Sequence, residues 1–419
     1  MSTAAALQTS RQTSNVRWAV IVLLSLGMIL AYASRSNLAV ALAAPQFIRA
    51  FHLSDTERGL LNSAFFWAYA LLQIPAGWLV DRYGVKLPYA ISFVFWCIAS
   101  AGTAFAHSLS QLFALRVALG TGESVVAPAS YRYIRMNFDE KQRGLAVGLY
   151  MTGTKIGPAI GAPLAVGLIG LYDWRLMFIL IGLGGLIWLI PWMLMVKEPS
   201  AQQKAVVKAQ SPAVPFGRIM ASPVVWGTVA ASFAYMYFVY FCMTWMPAYF
   251  VEQRHLSLSK MGLYTFFSFG GMAMVAALGG WAADLLIARG GNAVAVRKWF
   301  TIAGFAIACT ELIGARASSV NVSLIFAIVS LSGLGLATAN YWAITQTLIP
   351  ASAIGRISGV QNCACSLAGI AAPILTGWLK QQTGSYEAPM QAIWFVLLIG
   401  LVSYIFLVRE KYAPREAIL

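Results

Sequence analysis

Four charged side chains stand inside stretches otherwise fit for lipid: Arg35, Arg116, Glu123 and Lys155. An Arg near a bilayer midplane costs about 2.5–3.5 kcal/mol on insertion scales, so each calls for a purpose. The guanidinium of Arg35 offers a planar fork of donors that matches a carboxylate, a strong pairing in a low-dielectric cavity. Arg116, Gly120 and Glu123 are spaced i, i+4, i+7 and share one helix face, which cannot point at lipid. Glu123 is the one acidic side chain in the middle of the N-terminal half. Desolvation favours its neutral form and a nearby Arg its anion, so it suits a proton carrier whose exposure changes. Structural alternatives stand beside these readings. Arg116 and Glu123 can form a permanent pair that pins the helices, and Arg35 or Arg116 can snorkel to the headgroups. Lys155 can serve a second carboxylate, or reach the interface or a neighbouring helix.

Lipid-spanning helices must position these groups. Of 419 residues, 59% are hydrophobic and 10% charged, and the mean hydropathy is +0.72. A span needs about 20 mostly apolar residues. Twelve segments qualify, near 18–44, 57–80, 88–106, 109–134, 143–170, 174–196, 222–250, 258–284, 297–316, 320–347, 354–380 and 388–408. The fold class is therefore all-α integral membrane, with twelve transmembrane helices. The first segment is too long for a signal peptide and too poor in a small-residue cleavage site.

A polar stretch from Lys197 to Pro215 divides the chain nearly in the middle. The expected layout is a tail at 1–17, a six-helix bundle at 18–196, a cytoplasmic linker at 197–221, a second bundle at 222–408 and a tail at 409–419. The two halves repeat weakly. Gly77-Trp78-Leu79-Val80-Asp81 recurs as Gly280-Trp281-Ala282-Ala283-Asp284, and Ala162-Pro163 followed by Gly167 recurs as Ala372-Pro373 followed by Gly377. The offsets, 203 and 210 residues, are close to half the chain. Two pseudo-symmetric bundles on one plan follow, with a ligand site between them at mid-membrane depth.

A net charge of +15 invites a nucleic-acid reading, but its distribution argues against one. Lys and Arg collect in alternate connections, which is the positive-inside pattern and places both termini in the cytoplasm. The five cysteines lie in apolar segments and the three histidines in or beside loops, with no metal-ligand spacing between them. No catalytic cluster, metal site or cofactor motif can be assembled, which argues against a membrane enzyme. In the C-terminal half, Asn340, Tyr341, Trp342 and Gln346 in segment 10 and Asn362 in segment 11 are candidates for a ligand's hydroxyls or ring. Helix contacts and interfacial aromatics explain them as well. Glu311 is expected at the membrane interface. Gly153, Gly157, Pro158 and Gly161 would let segment 5 approach a partner helix closely.

Gly77 to Lys86 (GWLVDRYGVK) resembles the loop 2–3 signature of the major facilitator superfamily, and Gly153-x-x-x-Gly157-Pro158-x-x-Gly161 resembles its Gly-Pro motif. "SRSNLAVA", "FFWAYALLQIPAGW" and "LRVALGTGESVVAP" narrow the resemblance to the anion:cation symporters, over residues 16–410. That resemblance implies a major facilitator fold working as a monomer in a bacterial inner membrane, with a small organic anion and protons as its partners. It implies that Arg35 binds the substrate carboxylate, Glu123 takes the proton, Arg116 couples the two and Tyr69 lies on the substrate side. It also implies that Asp81 latches to Arg132 or Arg135 near Arg82, although exposed pairs of this kind contribute only about 0–1 kcal/mol. Relatives that carry sugar acids have Asp immediately before the Arg of helix 1, where this chain has Ser34, so their proton stoichiometry does not transfer. The expected activity is proton-coupled import of a sugar acid, dicarboxylate or aromatic carboxylate by alternating access. A proton-independent facilitator or exchanger of the same fold is the alternative, and a channel or sensor is a more distant one.

Overall fold

The computed structural model describes residues 14–197, 219–349 and 354–413. The linker and both tails lie largely outside these residues. Among the described residues every regular element is a helix. In chain order these are α1 (Ser14–Ala43), α2 (Pro45–Phe51), α3 (Asp55–Tyr83), α4 (Lys86–Gly102), α5 (Leu109–Glu123) and α6 (Val126–Asn137). Next come α7 (Glu140–Leu171), α8 (Trp174–Gly184), α9 (Leu189–Met195), α10 (Pro223–Thr244), α11 (Met246–Glu252) and α12 (Leu258–Ala288). The last are α13 (Ala293–Ala308), α14 (Glu311–Arg316), α15 (Val320–Leu348), α16 (Ile354–Thr383) and α17 (Glu387–Phe406). Singly or in consecutive pairs they supply 12 helices long and apolar enough to cross a membrane. Exposed Leu71, Ile74, Trp78, Ile187 and Trp281 mark faces suited to lipid rather than water.

Four of the expected continuous helices, segments 4, 6, 7 and 9, are interrupted, and proline explains two of the breaks. Segment 4 steps at Ser124–Val125, because Pro128 has no N–H for the Ser124 carbonyl. Segment 7 ends at Thr244 and restarts as α11, where Pro247 cannot bond back to Met243. Side-chain caps fix several helix starts: Asp173 accepts from Leu176 N at 2.7 Å, and Asn292 from Ala295 N at 2.7 Å.

The chain divides into two compact units, one holding residues 1–38 and 64–211, the other residues 39–63 and 212–419. Helices α1 and α3 thus each contribute to both units. In the first unit, α7 lies against α1 along its glycine stripe. A Cβ at Gly153 would sit 2.8 Å from the Ser25 carbonyl oxygen, and one at Gly157 2.8 Å from that of Ile29. The stripe therefore allows backbone-to-backbone approach beside Arg35. The second unit buries Tyr235, Tyr341 and Tyr404 among its helices.

Candidate functional site

In the first unit the charges within the apolar segments come together, and the pair they form is not the Arg116–Glu123 alternative. Arg35 Nε donates to Glu123 Oε2 at 2.6 Å, and the two residues are 6% and 0% exposed. The ion pair thus joins α1 to α5, rather than Arg116 to Glu123 within one helix. The helical spacing explains this: residues i and i+7 share a face but lie two turns apart, about 10 Å along the axis. Arg116 Nη1 instead donates to the Ser34 carbonyl at 3.4 Å, while its Nε and Nη2 have no hydrogen-bond partner among the described residues. Glu123 Oε1 also lacks one.

Three aromatic rings surround the Arg35 guanidinium. Its central carbon lies 4.3 Å from the Tyr32 ring centroid, 4.5 Å from that of Phe65 and 4.7 Å from that of Tyr69. Cation–π attraction compensates part of the lost hydration. Gly120 sets this arrangement. A Cβ there would collide with the Phe65 carbonyl, so only glycine lets α5 press on α3 one turn before Glu123. Tyr69, expected on the substrate side, is therefore one wall of the Arg35 site. Lys155 is 8% exposed and donates to its neighbour Thr154 Oγ1 at 2.9 Å, so it does not reach the headgroups.

At the far end of the same unit, Arg132 forms an ion pair with Asp81 and also donates to the Asp81 carbonyl at 3.4 Å. The Arg135 carbonyl accepts from Arg143, and Arg82 lies over the rings of Trp78 and Tyr83. In the second unit the repeat ends in a pair of its own, Asp284 with Arg297 at 2.7 Å.

The polar candidates of the second unit are scattered. Asn340 is fully buried and donates to Leu336 O one turn back, Tyr341 is buried against Tyr235, and Trp342 packs beside Tyr341. Gln346 is exposed and Asn362 half-buried. The buried amide of α16 is Gln361, whose Nε2 donates to Ser232 Oγ at 3.2 Å and Thr345 Oγ1 at 3.0 Å. The sequence signal that would have picked Gln361 over Asn362 is its spacing: Gln361, Cys365, Ala368 and Ala372 share a face at i, i+4, i+7 and i+11, and Asn362 falls off it. Glu311 is not interfacial. It is 4% exposed and accepts from Ser330 Oγ at 2.5 Å. A helix end tucked against α15 explains why its distance from mid-span misled.

Charges near helix ends form a second, half-buried cluster, wholly within the second unit. Arg58 Nη1 donates to Asp55 at 2.8 Å, and its Nη2 donates to Glu252 at 2.6 Å and to the Leu42 carbonyl at 2.8 Å. Lys380 Nζ donates to Asp55 at 2.7 Å and to Glu252 at 2.6 Å, and the Tyr386 hydroxyl donates to Glu252 at 3.0 Å. Burial alone would raise the Glu252 carboxyl, but Arg58 and Lys380 outweigh it and hold the group below its ordinary range. Among the described residues, no group of three His, Cys, Asp or Glu side chains is placed to hold a metal ion.

Among the described residues, 12 helices are long and apolar enough to cross a membrane, and the most buried ion pair joins two of them. Residues 24–373 match the Major Facilitator Superfamily, and the chain belongs to it. It is 31% identical to the D-galactonate transporter of Escherichia coli O6:H1, over 94% of this chain and 96% of that one. It is 32% identical to the hexuronate transporter of Bacillus subtilis, over 92% of each. Its fold resembles the crystal structure of a bacterial homolog of the human lysosomal transporter Spinster, in an inward-facing and occupied conformation. That match has a TM-score of 0.81 and 18% identity, covering 97% of this chain and 100% of the other.

Proposed function

We propose that the protein is a proton-coupled symporter that imports a small organic anion by alternating access. The observation that carries this reading is the buried Arg35–Glu123 bond. Removing one partner of a buried pair costs about 3–5 kcal/mol, because the other charge is left uncompensated. When Glu123 takes a proton, Arg35 loses its counter-ion, and the carboxylate of an incoming substrate can replace it. Proton and anion then enter together, and Arg35 is matched by one negative charge both empty and loaded. Tyr32, Phe65 and Tyr69 form an apolar wall that suits the substrate's carbon chain and keeps the guanidinium aimed. Arg116, bonded to the Ser34 carbonyl, holds the turn that carries Arg35 and adds positive potential near Glu123.

The D-galactonate and hexuronate relatives support a polyhydroxylated monocarboxylate as substrate. Lys155 extends the range to a second carboxylate. The charge bias of the loops supports an orientation with Asp81, Arg132 and both termini on the cytoplasmic side and Asp55 and Lys380 on the outer side, in keeping with a bacterial inner-membrane carrier. The carrier works as a monomer. Uptake of labelled sugar acids into proteoliposomes tests the reading. An inward acid gradient should drive accumulation in the wild type and not in Glu123→Gln. Uptake indifferent to the gradient would make the protein a facilitator.

A further inference from the structure

Two phenol hydroxyls in the first unit are kept where phenylalanine would pack as well. Tyr89 of α4 and Tyr150 of α7 are 0% exposed, and neither hydroxyl has a hydrogen-bond partner among the described residues. A buried hydroxyl left in that state costs about 1–3 kcal/mol. Both lie beside the fully buried Ser130 of α6, and the Tyr89 hydroxyl is also within electrostatic reach of Glu123. Ser130 Oγ donates its own proton to the Val126 carbonyl at 2.7 Å, which leaves its lone pairs free to accept. Tyr89 is locked in place. Its ring lies 5.1 Å from that of Trp188 and 4.5 Å from that of Trp192, and those indoles donate to the Leu23 and Lys86 carbonyls. Gly27 makes room for the hydroxyl, since a Cβ there would sit 2.8 Å from it. Tyr150 meets Tyr131 edge-on with 5.8 Å between ring centroids, and Tyr131 is 44% exposed.

We propose that Tyr131, Tyr150, Ser130 and Tyr89 relay the coupling proton between water and Glu123 Oε1, an inference that rests on the proton-coupling reading above. Glu123 needs such a rear route. It is fully buried, and its Oε2 faces Arg35, so whatever occupies Arg35 covers that side. Its Oε1 is the oxygen left without a partner. A proton arriving from water binds the Tyr131 hydroxyl oxygen, which passes its own proton to Tyr150. Ser130 and Tyr89 repeat the step, and the last proton lands on Glu123 Oε1. Each hydroxyl gains one proton and loses one, so no tyrosinate forms. A buried water bridges any gap too long for a direct hydrogen bond. Around the carboxyl, Arg35 and Arg116 are the cations, and Cys97 and Tyr89 are the other titratable groups. Tyr150 faces only other phenols and Ser130, so no fixed charge holds a proton midway.

Rapid-mixing infrared spectroscopy on the purified protein in lipid nanodiscs tests this without substrate. After a drop from pH 8 to pH 5, the protonated-carboxyl band that Glu123→Gln lacks reports the arrival of the proton. Tyr89→Phe, Ser130→Ala and Tyr150→Phe should each slow that band about tenfold, because proton transfer needs donor and acceptor within hydrogen-bond reach. Tyr83→Phe, an exposed control, should not. The equilibrium pH midpoint of the band should stay the same in all four variants. Wild-type rates in the three relay variants would overturn the relay. So would slowing that comes with a shifted midpoint, which is a change in the surroundings of the carboxyl. Either failure leaves the coupling reading standing. A wild-type spectrum without a titrating Glu123 band would instead overturn coupling at Glu123, and the relay with it.

Discussion

Replacing Glu123 with Gln tests the exchange of counter-ions at Arg35. The substitution keeps the shape of the side chain but permanently removes the charge that Arg35 Nε meets at 2.6 Å. The guanidinium then stays buried among three rings without its carboxylate, a state that costs about 3–5 kcal/mol. Part of that cost falls on stability, so the unliganded variant should melt earlier. Another part is recovered when an anion binds. Recovery of only about 1.4 kcal/mol makes the variant bind a substrate carboxylate tenfold tighter than the wild type near neutral pH. Titration calorimetry at pH 6 and pH 8 reads this directly. Wild-type affinity should fall as pH rises, because binding takes up a proton, while the variant's affinity should be high and flat. Accumulation against a gradient should vanish, yet exchange of labelled for unlabelled substrate should persist. Equal pH dependence in both proteins, or undiminished accumulation by the variant, would refute the reasoning.

Arg35→Lys keeps the charge but loses the planar fork, so transport should fall at least tenfold in uptake assays, and near-normal uptake would remove Arg35 from the carboxylate site. Lys155→Met should weaken a dicarboxylate far more than its monocarboxylate analogue in binding titrations, and equal effects would return Lys155 to helix packing. A dianion carried with one proton keeps one net negative charge, so an inside-negative potential should oppose its uptake by about 2.3 kcal/mol per 100 mV, while a monoanion's uptake barely responds. At the outer cluster, Glu252 is held below its ordinary 4.5 by Arg58 and Lys380, with Asp55 and Tyr386 beside it. A folded-state value below the unfolded one stabilises fully above about pH 4.5 and is lost as pH falls through the lowered value. Protection from hydrogen exchange in 376–386, corrected for the intrinsic rate, should therefore fall as pH drops through the lowered Glu252 value in the wild type and depend less on pH in Glu252→Gln.

The helices were legible because lipid demands long apolar runs, and the breaks in segments 4 and 7 follow from prolines that the sequence shows. Deep charges were legible by the same contrast, which is why Arg35, Arg116, Glu123 and Lys155 stood out. Their pairing was not. Which cation meets Glu123 depends on which helix lies against that turn of α5, and only the folded chain shows that α1 does. The outer cluster was hidden for the opposite reason. Asp55, Arg58, Glu252 and Lys380 sit near helix ends, where charge is ordinary, and only the folded chain shows that they meet. Glu311 misled similarly, since a position near a helix end says nothing of the neighbour that covers it.

The central claim is that the substrate anion and the Glu123 carboxylate take turns on Arg35, and proton uptake on binding tests it most directly. Purified protein in weakly buffered solution near neutral pH receives a substrate already adjusted to the same pH, and a pH indicator follows the mixture. The account predicts uptake of about one proton per monoanion bound in the wild type and none in Glu123→Gln, which still binds. Binding with no proton taken up by the wild type, or the same uptake by the variant, would contradict it.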